Sequence, residues 1–423
     1  MTTRRAPRGW ALVLMLFFSA PVLAQTPTPT PTPTPPGQPP PPIQGTTTTA
    51  ETTTISSTLS QIVGPAGTSH LGDALALAAQ LGTATTPYGA SSGGFLIRLD
   101  PSTGLQVRAA TTFGPAFAER ALTSGEGKLS LGASFQPATY DRLNDQHIDT
   151  NLQLRTTTAA APSAARSGTA NLSLKSTTTI LFARMGISDN FDVGVNVPIV
   201  AVKLSGNALL NNGVGPILFA QGAANSSGLG DVQGIAKYRF YSFGTGQPDP
   251  GGLAAMVTMT LPTGDRDQLR GLGITRTLVS LIASSGQARF RPHGNVGFGY
   301  WSKGVGVISD TPGNPVVNAR HEYQYAGGIE VEAVPKLTLL LDLLGGGVLG
   351  GGKVGFTSVT DAAGLTTSAL AALNEGTRRV DLAPGLKANI KGKLLVTLSA
   401  LIALKDTGLH ARVIPVAGVD LTF

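Results

Sequence analysis

The C-terminal stretch Arg412-Val-Ile-Pro-Val-Ala-Gly-Val-Asp-Leu-Thr-Phe423 alternates apolar residues with polar or small ones. Successive side chains of a β-strand point to opposite faces, so the alternation puts Val419, Leu421 and Phe423 on one face and Asp420 on the other. The same period of two recurs in earlier segments of the chain, at residues 191–197, 322–332, 379–390 and 394–404. The sequence therefore predicts an all-β fold of antiparallel strands, each with an apolar and a polar face.

Composition separates a water-soluble sandwich from a barrel in a membrane. Only 13% of the 423 residues are charged, which is about half of the usual share of roughly 25% in globular proteins. Hydrophobic residues make up 41%, and there are 54 glycines. A soluble protein of this size covers its surface with charge, whereas a transmembrane barrel turns its apolar face to lipid and its charged face to the lumen. The low charge therefore favours the membrane barrel.

The composition also excludes several kinds of chemistry. Cysteine is absent, which removes disulfides, thiolate metal sites, a cysteine nucleophile and an acylated-cysteine anchor. The net charge is +7, and three of the positive charges are Arg4, Arg5 and Arg8 near the N-terminus. The remaining excess is spread out, without a dense basic patch interleaved with aromatics, so we expect no nucleic-acid partner.

The N-terminus has the three parts of a secretory signal peptide. The three arginines form its basic region, Trp10 to Phe18 its apolar core, and Val22-Leu23-Ala24 the small residues before a cleavage site. The apolar core is too short to span a bilayer as a helix, which takes about 20 apolar residues. We predict that residues 1–24 are removed on export.

Two segments separate this leader from the predicted barrel. Residues 25–54 are predicted to be a linker, because the Thr/Pro alternation from Thr26 to Pro36 adopts extended polyproline II and forms neither helix nor sheet. In residues 55–104, apolar residues at helical spacing predict a short helix near Gly72 to Leu81, and a glycine-rich loop follows it. This segment is expected to be either a plug inside the lumen or a cap in the periplasm.

The connections between the predicted strands alternate in length, which gives the strand order. Short connections fall at residues 186–190, 284–288, 334–336 and 391–392, and long glycine- and asparagine-rich ones at 205–227, 303–318 and 349–377. Outer-membrane barrels have short periplasmic turns and long outer loops. We therefore predict an up-and-down transmembrane barrel over residues 105–423, with about 14 strands or alternatively 12. Its last residue, Phe423, is predicted to lie at the periplasmic end and to act as the assembly signal.

The polar faces of these strands are predicted to line the lumen. The strand that begins at Arg289 and the one that ends near Glu332 are joined by an outer loop, so Arg291 should lie at the height of Glu330. Opposite charges across paired strands stabilise a sheet by roughly 0.2–1 kcal/mol each. The predicted lumen-lining residues are Asp192, Asn196, Lys237, Arg239, Arg289, Arg291, His293, Glu330, Glu332, Asp342, Arg379, Asp381, Lys387, Arg412 and Asp420.

Several motifs in this region resemble a known family. They are Phe113-Gly-Pro-Ala-Phe-Ala-Glu-Arg120, Lys128-Leu-Ser-Leu-Gly-Ala-Ser-Phe135, Gly228-Leu-Gly-Asp-Val-Gln-Gly-Ile-Ala-Lys-Tyr-Arg-Phe240, Leu261-Pro-Thr-Gly-Asp265 and Pro292-His-Gly-Asn-Val-Gly-Phe-Gly-Tyr300. In their order they resemble the outer-membrane barrel family associated with the MetA pathway of phenol degradation, described as transporters. The resemblance covers roughly residues 95–423 and leaves out the Pro/Thr linker. It implies an outer-membrane barrel and uptake of hydrophobic or aromatic compounds, and it brings no catalytic residues.

Three functions remain open from the sequence. The first is a passive outer-membrane channel or transporter for small, hydrophobic or aromatic molecules; the second is a structural or surface-interaction barrel without transport. The third and weakest is an outer-membrane hydrolase that would pair His147 or His321 with an abundant Ser and Asn. The five histidines show no zinc spacing, so we expect no enzyme, no cofactor and no metal. The expected partners are outer-membrane lipid, the barrel-assembly machinery and a small-molecule solute.

Overall fold

A computed structural model describes most of the chain from residue 53 onward. The described residues are 53–64, 70–89, 97–99, 106–108, 112–156, 168–211, 214–243, 251–286, 289–307, 317–360, 366–391, 393–405 and 407–423. The predicted signal peptide, and the predicted linker up to residue 52, lie outside them. No helix within the described part is long and apolar enough to cross a membrane.

A closed sheet of 12 antiparallel strands forms the body of the protein. Each strand pairs with its neighbours along the chain, and the last pairs with the first to close the barrel. The strand number equals the lower of the two predicted values. The barrel strands are β1 Leu129–Tyr140, β2 Gly168–Ser188, β3 Phe191–Asn211, β4 Gln233–Ser242, β5 Gly252–Thr260, β6 Arg276–Ser284, β7 Phe290–Trp301, β8 Glu322–Val334, β9 Leu337–Thr360, β10 Thr366–Lys391, β11 Leu394–Ala403 and β12 Val413–Thr422.

The other described elements are not strands of this barrel. Two helices, α1 Ile55–Val63 and α2 Leu71–Ala84, precede the barrel. An extension strand, Pro216–Leu229, pairs with the second half of β3 and leads into β4. Short strands complete the fold, at Ile97–Leu99, Gln106–Arg108, Arg142–Leu143, Gln146–His147, Leu152–Gln153, Arg155–Thr156, Val305–Val307, Val317–Ala319 and Leu409–His410.

The outer wall of the barrel is apolar, and its inner wall is mostly polar at one end. Along β9, Leu339, Leu341 and Leu343 point outward and are exposed, while Asp342 between them points inward and is fully buried. Outward aromatic and aliphatic side chains continue this surface around the barrel. An apolar surface of this extent matches a hydrocarbon environment, in which a closed barrel leaves no backbone group unpaired.

The two ends of the barrel differ in their connections. At one end β2 and β3, β8 and β9, and β10 and β11 are separated by only two residues each. At the other end β5 and β6 are joined by residues 261–275, and β7 and β8 by residues 302–321. The alternation of short and long connections expected from the sequence is therefore present. Two of the predicted long loops are wrong in extent, because residues 205–227 and 349–377 are largely paired strand that prolongs the barrel strands. We call these the short-turn end and the long-loop end.

The barrel begins later than residue 105, the start expected from the sequence. Residues 106–108 pair with residues 97–99 as a separate two-stranded sheet, and the first barrel strand starts at Leu129. Residues 112–127 between them are not a strand, because Gly114 takes a φ of 82° and Pro115 lacks the N–H that a ladder needs. The predicted helix near residues 72–81 is present as α2, and α1 is an additional helix.

A charge placed on the outer wall tests the membrane assignment. Leu343→Arg puts a cation near the middle of the apolar band, and Val334→Arg puts one at the rim of the short-turn end. We expect the free energy of unfolding to fall by about 2–4 kcal/mol for the first and by about 0–1 kcal/mol for the second. Urea titration of the refolded protein in lipid vesicles measures both. Equal losses in the two variants would contradict a bilayer around this wall.

Removal of Phe423 tests the closure of the barrel. The main chain of Phe423 exchanges hydrogen bonds with that of Leu129, with N···O distances of 2.8 and 3.3 Å, at the seam between β12 and β1. Its ring is 55% exposed at the outer wall. Deletion of Phe423 should slow assembly, measured as the yield of the heat-modifiable folded form on electrophoresis. Deletion of Gln25, far from the seam in sequence, is the control.

Candidate functional site: a lumen closed at both ends

The structure buries ten of the predicted lumen residues inside the barrel. They are Asp192, Lys237, Arg239, Arg291, His293, Glu330, Asp342, Asp381, Lys387 and Asp420. Asn196, Glu332 and Arg379 are partly exposed, and Arg289 and Arg412 are exposed. Arg289 and Glu332 lie at the rim of the short-turn end. The backbone N–H of Glu332 donates a hydrogen bond to the carbonyl oxygen of Arg289 there.

The predicted register between β7 and β8 is present. Arg291 is the direct partner of Glu330, and both are buried on the inner face. His293, two residues along the same face, has Nε2 2.8 Å from Asp342 Oδ1 and Nδ1 3.6 Å from Glu330 Oε1. These groups form one charged cluster on the inner wall near the short-turn end.

Residues 112–127, which we call the plug segment, cross the lumen at this height. Several of their backbone N–H groups donate to carboxylates of the wall. Gly114 donates to Glu330 at 2.9 Å, and Ser124 donates to Asp192 at 2.9 Å. Phe117 and Ala118 both donate to Asp342, at 3.1 and 3.3 Å. The carboxylates thus satisfy a non-regular backbone that would otherwise be buried without partners.

The carbonyl groups of the plug segment are satisfied by cations of the wall. Lys387 Nζ donates to the carbonyl oxygen of Pro115 at 2.7 Å, and Lys237 Nζ donates to that of Arg120 at 3.3 Å. Both lysines are almost fully buried. Wall and plug segment are therefore complementary in both senses, with anions facing N–H groups and cations facing carbonyls.

Glu119 adds an ionic contact at the centre of the plug segment. Its carboxylate lies 3.2 Å from Arg184 Nη2 and 3.5 Å from Lys237 Nζ, and all three side chains are at most 8% exposed. Burial by itself would raise the pKa of Glu119, but the charges of Arg184 and Lys237 outweigh it and lower that pKa below its ordinary value. The carboxylate is thus ionised throughout the neutral range.

The long-loop end is closed by different elements and different forces. We call α1 and α2 the roof helices. Their buried apolar side chains form one core with inward residues of the barrel, which include Leu172, Val202 and Leu204 of β2 and β3. Polar contacts are fewer here. Gln80 and Arg266 exchange hydrogen bonds at 3.1 and 3.2 Å, and Ser56 N–H donates to Asp267 O at 3.0 Å.

A chamber of about 230 Å³ remains between the plug segment and the roof helices. Leu81 and Tyr88 line it on the roof side, and Phe117 and Glu119 on the plug side. Arg276 also faces it, with Nη1 3.5 Å from Glu322 Oε2 and Nη2 donating to the carbonyl of Ala84 at 3.2 Å. Burial raises the pKa of the Tyr88 hydroxyl to about 12, so this group stays protonated and able to donate. The chamber thus combines aromatic and aliphatic surface with many polar and charged groups.

The His293 cluster has residue types that bind metals but not their arrangement. No cluster of three or more His, Asp or Glu side chains suited to a metal ion is present among the described residues. His293 is held between the carboxylates of Glu330 and Asp342, which in turn accept from the plug segment. The cluster therefore acts as a support for the plug segment.

Comparison with known proteins gives structural likenesses only. No protein-family model matches the chain, and no curated protein matches it. An outer membrane channel from Pseudomonas putida F1 is similar at a TM-score of 0.45 and 12% identity, over 72% of this chain and 98% of that chain. The CymD monoaromatic hydrocarbon channel is similar at 0.33 and 12%, over 71% and 89%. A FadL homologue from Pseudomonas aeruginosa is similar at 0.30 and 11%, over 79% and 97%. These likenesses concern barrel architecture and transfer no residue role.

Sequence reasoning missed Arg184, which contacts Glu119 of the plug segment, and Arg276, which donates to the carbonyl of Ala84. Both are buried on inner faces, and period-two alternation within β2 and β6 was the signal that could have found them. Glu119 was quoted only within a family motif. Its place in the lumen has no periodic signal, because the plug segment follows neither the strand nor the helix period.

The charge of Glu119 should hold the plug segment in place. In Glu119→Gln, Arg184 and Lys237 lose their anion, so we expect a larger single-channel conductance in planar bilayers at neutral pH. Because the folded-state pKa of Glu119 is lowered, its stabilisation is present above the ordinary carboxyl range and is lost as pH falls through the lowered pKa. The unsubstituted protein should therefore open only in acid, at a pH below the ordinary titration range of a glutamate.

Glu126→Gln is the matched control for this experiment. Glu126 is on the same plug segment but is exposed, and its side chain has no ion pair in the described residues. It should conduct like the unsubstituted protein at every pH. If Glu119→Gln also behaved like the control, the ion pairs would not be what holds the plug segment.

Proposed function

We propose that this protein is a channel of the bacterial outer membrane, exported through a signal peptide cleaved after Ala24, for the passive uptake of small molecules. One observation carries the proposal: the lumen is not packed solid but holds a chamber between two separable closures. A barrel with a purely structural role has no need of an internal chamber. The apolar outer wall supports the membrane location, since such a surface is stable only in lipid.

The chamber indicates which solutes fit. Its aromatic and aliphatic surface, from Tyr88, Phe117, Tyr140 and Leu344, favours molecules with an apolar body. Polar and charged side chains also line it, among them Arg184, Asn196 and Asn295, and in ligand sites such groups fix the orientation of a solute. We therefore propose small hydrophobic or aromatic compounds with one or two polar substituents. The resemblance to the MetA-pathway barrel family and the printed name of the CymD channel agree with this class.

Passage through the chamber requires both closures to move. The plug segment is held by hydrogen bonds and ion pairs, which water and salt can replace. The roof helices are held mainly by apolar contacts, which an apolar solute can replace. No step of this passage needs a cofactor or a bond-breaking reaction, so we propose no enzymatic activity.

Removal of each closure tests the channel. Three proteins are compared in planar bilayers: one without residues 55–89, one without residues 113–126, and one without both. Each should conduct more than the full chain, and the double deletion should conduct most. The heat-modifiable folded form on electrophoresis confirms that each barrel is closed. A folded double deletion with the conductance of the full chain would leave the structural or surface-interaction barrel as the function.

A further inference from the structure

The outer wall carries a pair of like charges at one height. Lys175 of β2 and Lys203 of β3 are direct partners in the antiparallel register, and both are exposed on the outward face. Directly opposite residues of two strands have Cβ atoms about 4.5–5.5 Å apart, and like charges in such positions destabilise the sheet. A pair of this kind needs a compensating anion or a solvated position.

No protein group supplies that anion in the described part of the chain. Neither lysine makes an ion pair there. Their cross-strand neighbours on the far sides are Thr139 of β1, opposite Lys175, and Asn225 of the extension strand, opposite Lys203. The next outward residues toward the long loops are Ser173 and Ser205, which are themselves direct partners. The pair is thus surrounded by neutral groups that can donate hydrogen bonds to an anion.

The height of the pair on the wall decides what the anion is. Outward residues of β2 are apolar from Ile187 to Leu181, then threonine at 179 and 177, and then Lys175. With a rise of about 3.3 Å per residue and a strand tilt near 40°, Lys175 lies roughly 30 Å above Ile187 along the barrel axis. The apolar band of such barrels is about 25 Å tall, so the pair lies at the level of the head groups at the long-loop end.

The wall directly above the lysines is mostly polar and, on these three strands, free of acids. Its outward residues are Ser173, Asn171 and Thr169 on β2, Ser205 and Asn207 on β3, and Ala223 and Gln221 on the extension strand, and the strip ends at Leu209 and at the exposed Leu218 and Phe219. Asn171 and Asn207 are joined by a hydrogen bond of 3.3 Å across the strands. Amide and hydroxyl groups in a row are suited to the hydroxyl groups of a sugar, and the absence of carboxylates along this strip avoids repulsion of a phosphate.

We propose that Lys175 and Lys203 bind the phosphate of a phosphorylated glycolipid in the outer leaflet, with its sugar lying along the polar strip above them. Two ammonium groups on one phosphate oxyanion give charge-assisted hydrogen bonds and remove the like-charge repulsion between the strands. The proposal rests on the outer-membrane location proposed above, and it does not involve the lumen.

The test measures binding of diphosphorylated lipid A to the purified, detergent-solubilised full chain by native mass spectrometry. Lys175→Gln/Lys203→Gln should weaken binding by on the order of tenfold, because two charge-assisted contacts are lost. Lys175→Arg/Lys203→Arg keeps both charges and should bind like the unsubstituted protein. Lys303→Gln/Lys405→Gln removes two exposed lysines of the long-loop end that lie outside the strip, and it should also bind normally.

Two further binding measurements show whether the phosphate belongs to the lipid. Dephosphorylated lipid A should bind the unsubstituted protein as weakly as the intact lipid binds Lys175→Gln/Lys203→Gln. Inorganic phosphate at the same phosphate concentration should not displace the lipid. Equal binding of intact lipid A to the unsubstituted protein and to the glutamine variant would overturn the proposal, as would displacement by inorganic phosphate. Heat-modifiable migration of every variant shows that the barrel is folded, and the result is independent of conductance.

Discussion

The structure depends on one constraint, that no backbone N–H or C=O can face hydrocarbon without a hydrogen-bond partner. A sheet with an apolar outer face meets this constraint only if its last strand pairs with its first. Here the bonds between Phe423 and Leu129 complete that seam. Once the sheet is closed, the alternation within each strand puts every second side chain into the lumen. The polar interior is therefore a consequence of the apolar exterior.

The buried polar groups of the inner wall need hydrogen-bond partners, and the plug segment provides some of them. Without residues 112–127, Asp192, Glu330 and Asp342 would each lose main-chain N–H donors, and Lys387 would lose the carbonyl of Pro115. A buried charge that loses hydrogen bonds is destabilised, so wall and plug segment stabilise each other. This mutual dependence explains why a segment without helix or strand can have a defined position.

The two closures of the lumen differ in their physics. The plug segment is held by charge and hydrogen bonds at the short-turn end, where the inner faces of the strands are polar. The roof helices are held by apolar packing at the long-loop end, where inward positions such as Val202 and Leu204 are apolar. The inner wall of β3 therefore changes character along its length, from Asp192 to Leu204. The chamber lies between the plug segment and the roof helices, and its lining has both polar and apolar side chains.

Although it placed loops at residues 205–227 and 349–377, which are largely strand, the sequence by itself determined the alternating faces of most strands and the positions of the short turns. These follow from a period of two and from local turn chemistry. The sequence also determined the register of Arg291 against Glu330, since a hairpin fixes which residues lie at one height. The position of the plug segment was decided only by the tertiary structure. Its residues have no period, and their partners Asp192, Glu330 and Asp342 lie 68, 216 and 225 residues away along the chain. For the same reason, the sequence could propose a lumen plug before the first strand but not that two segments close the lumen from opposite ends.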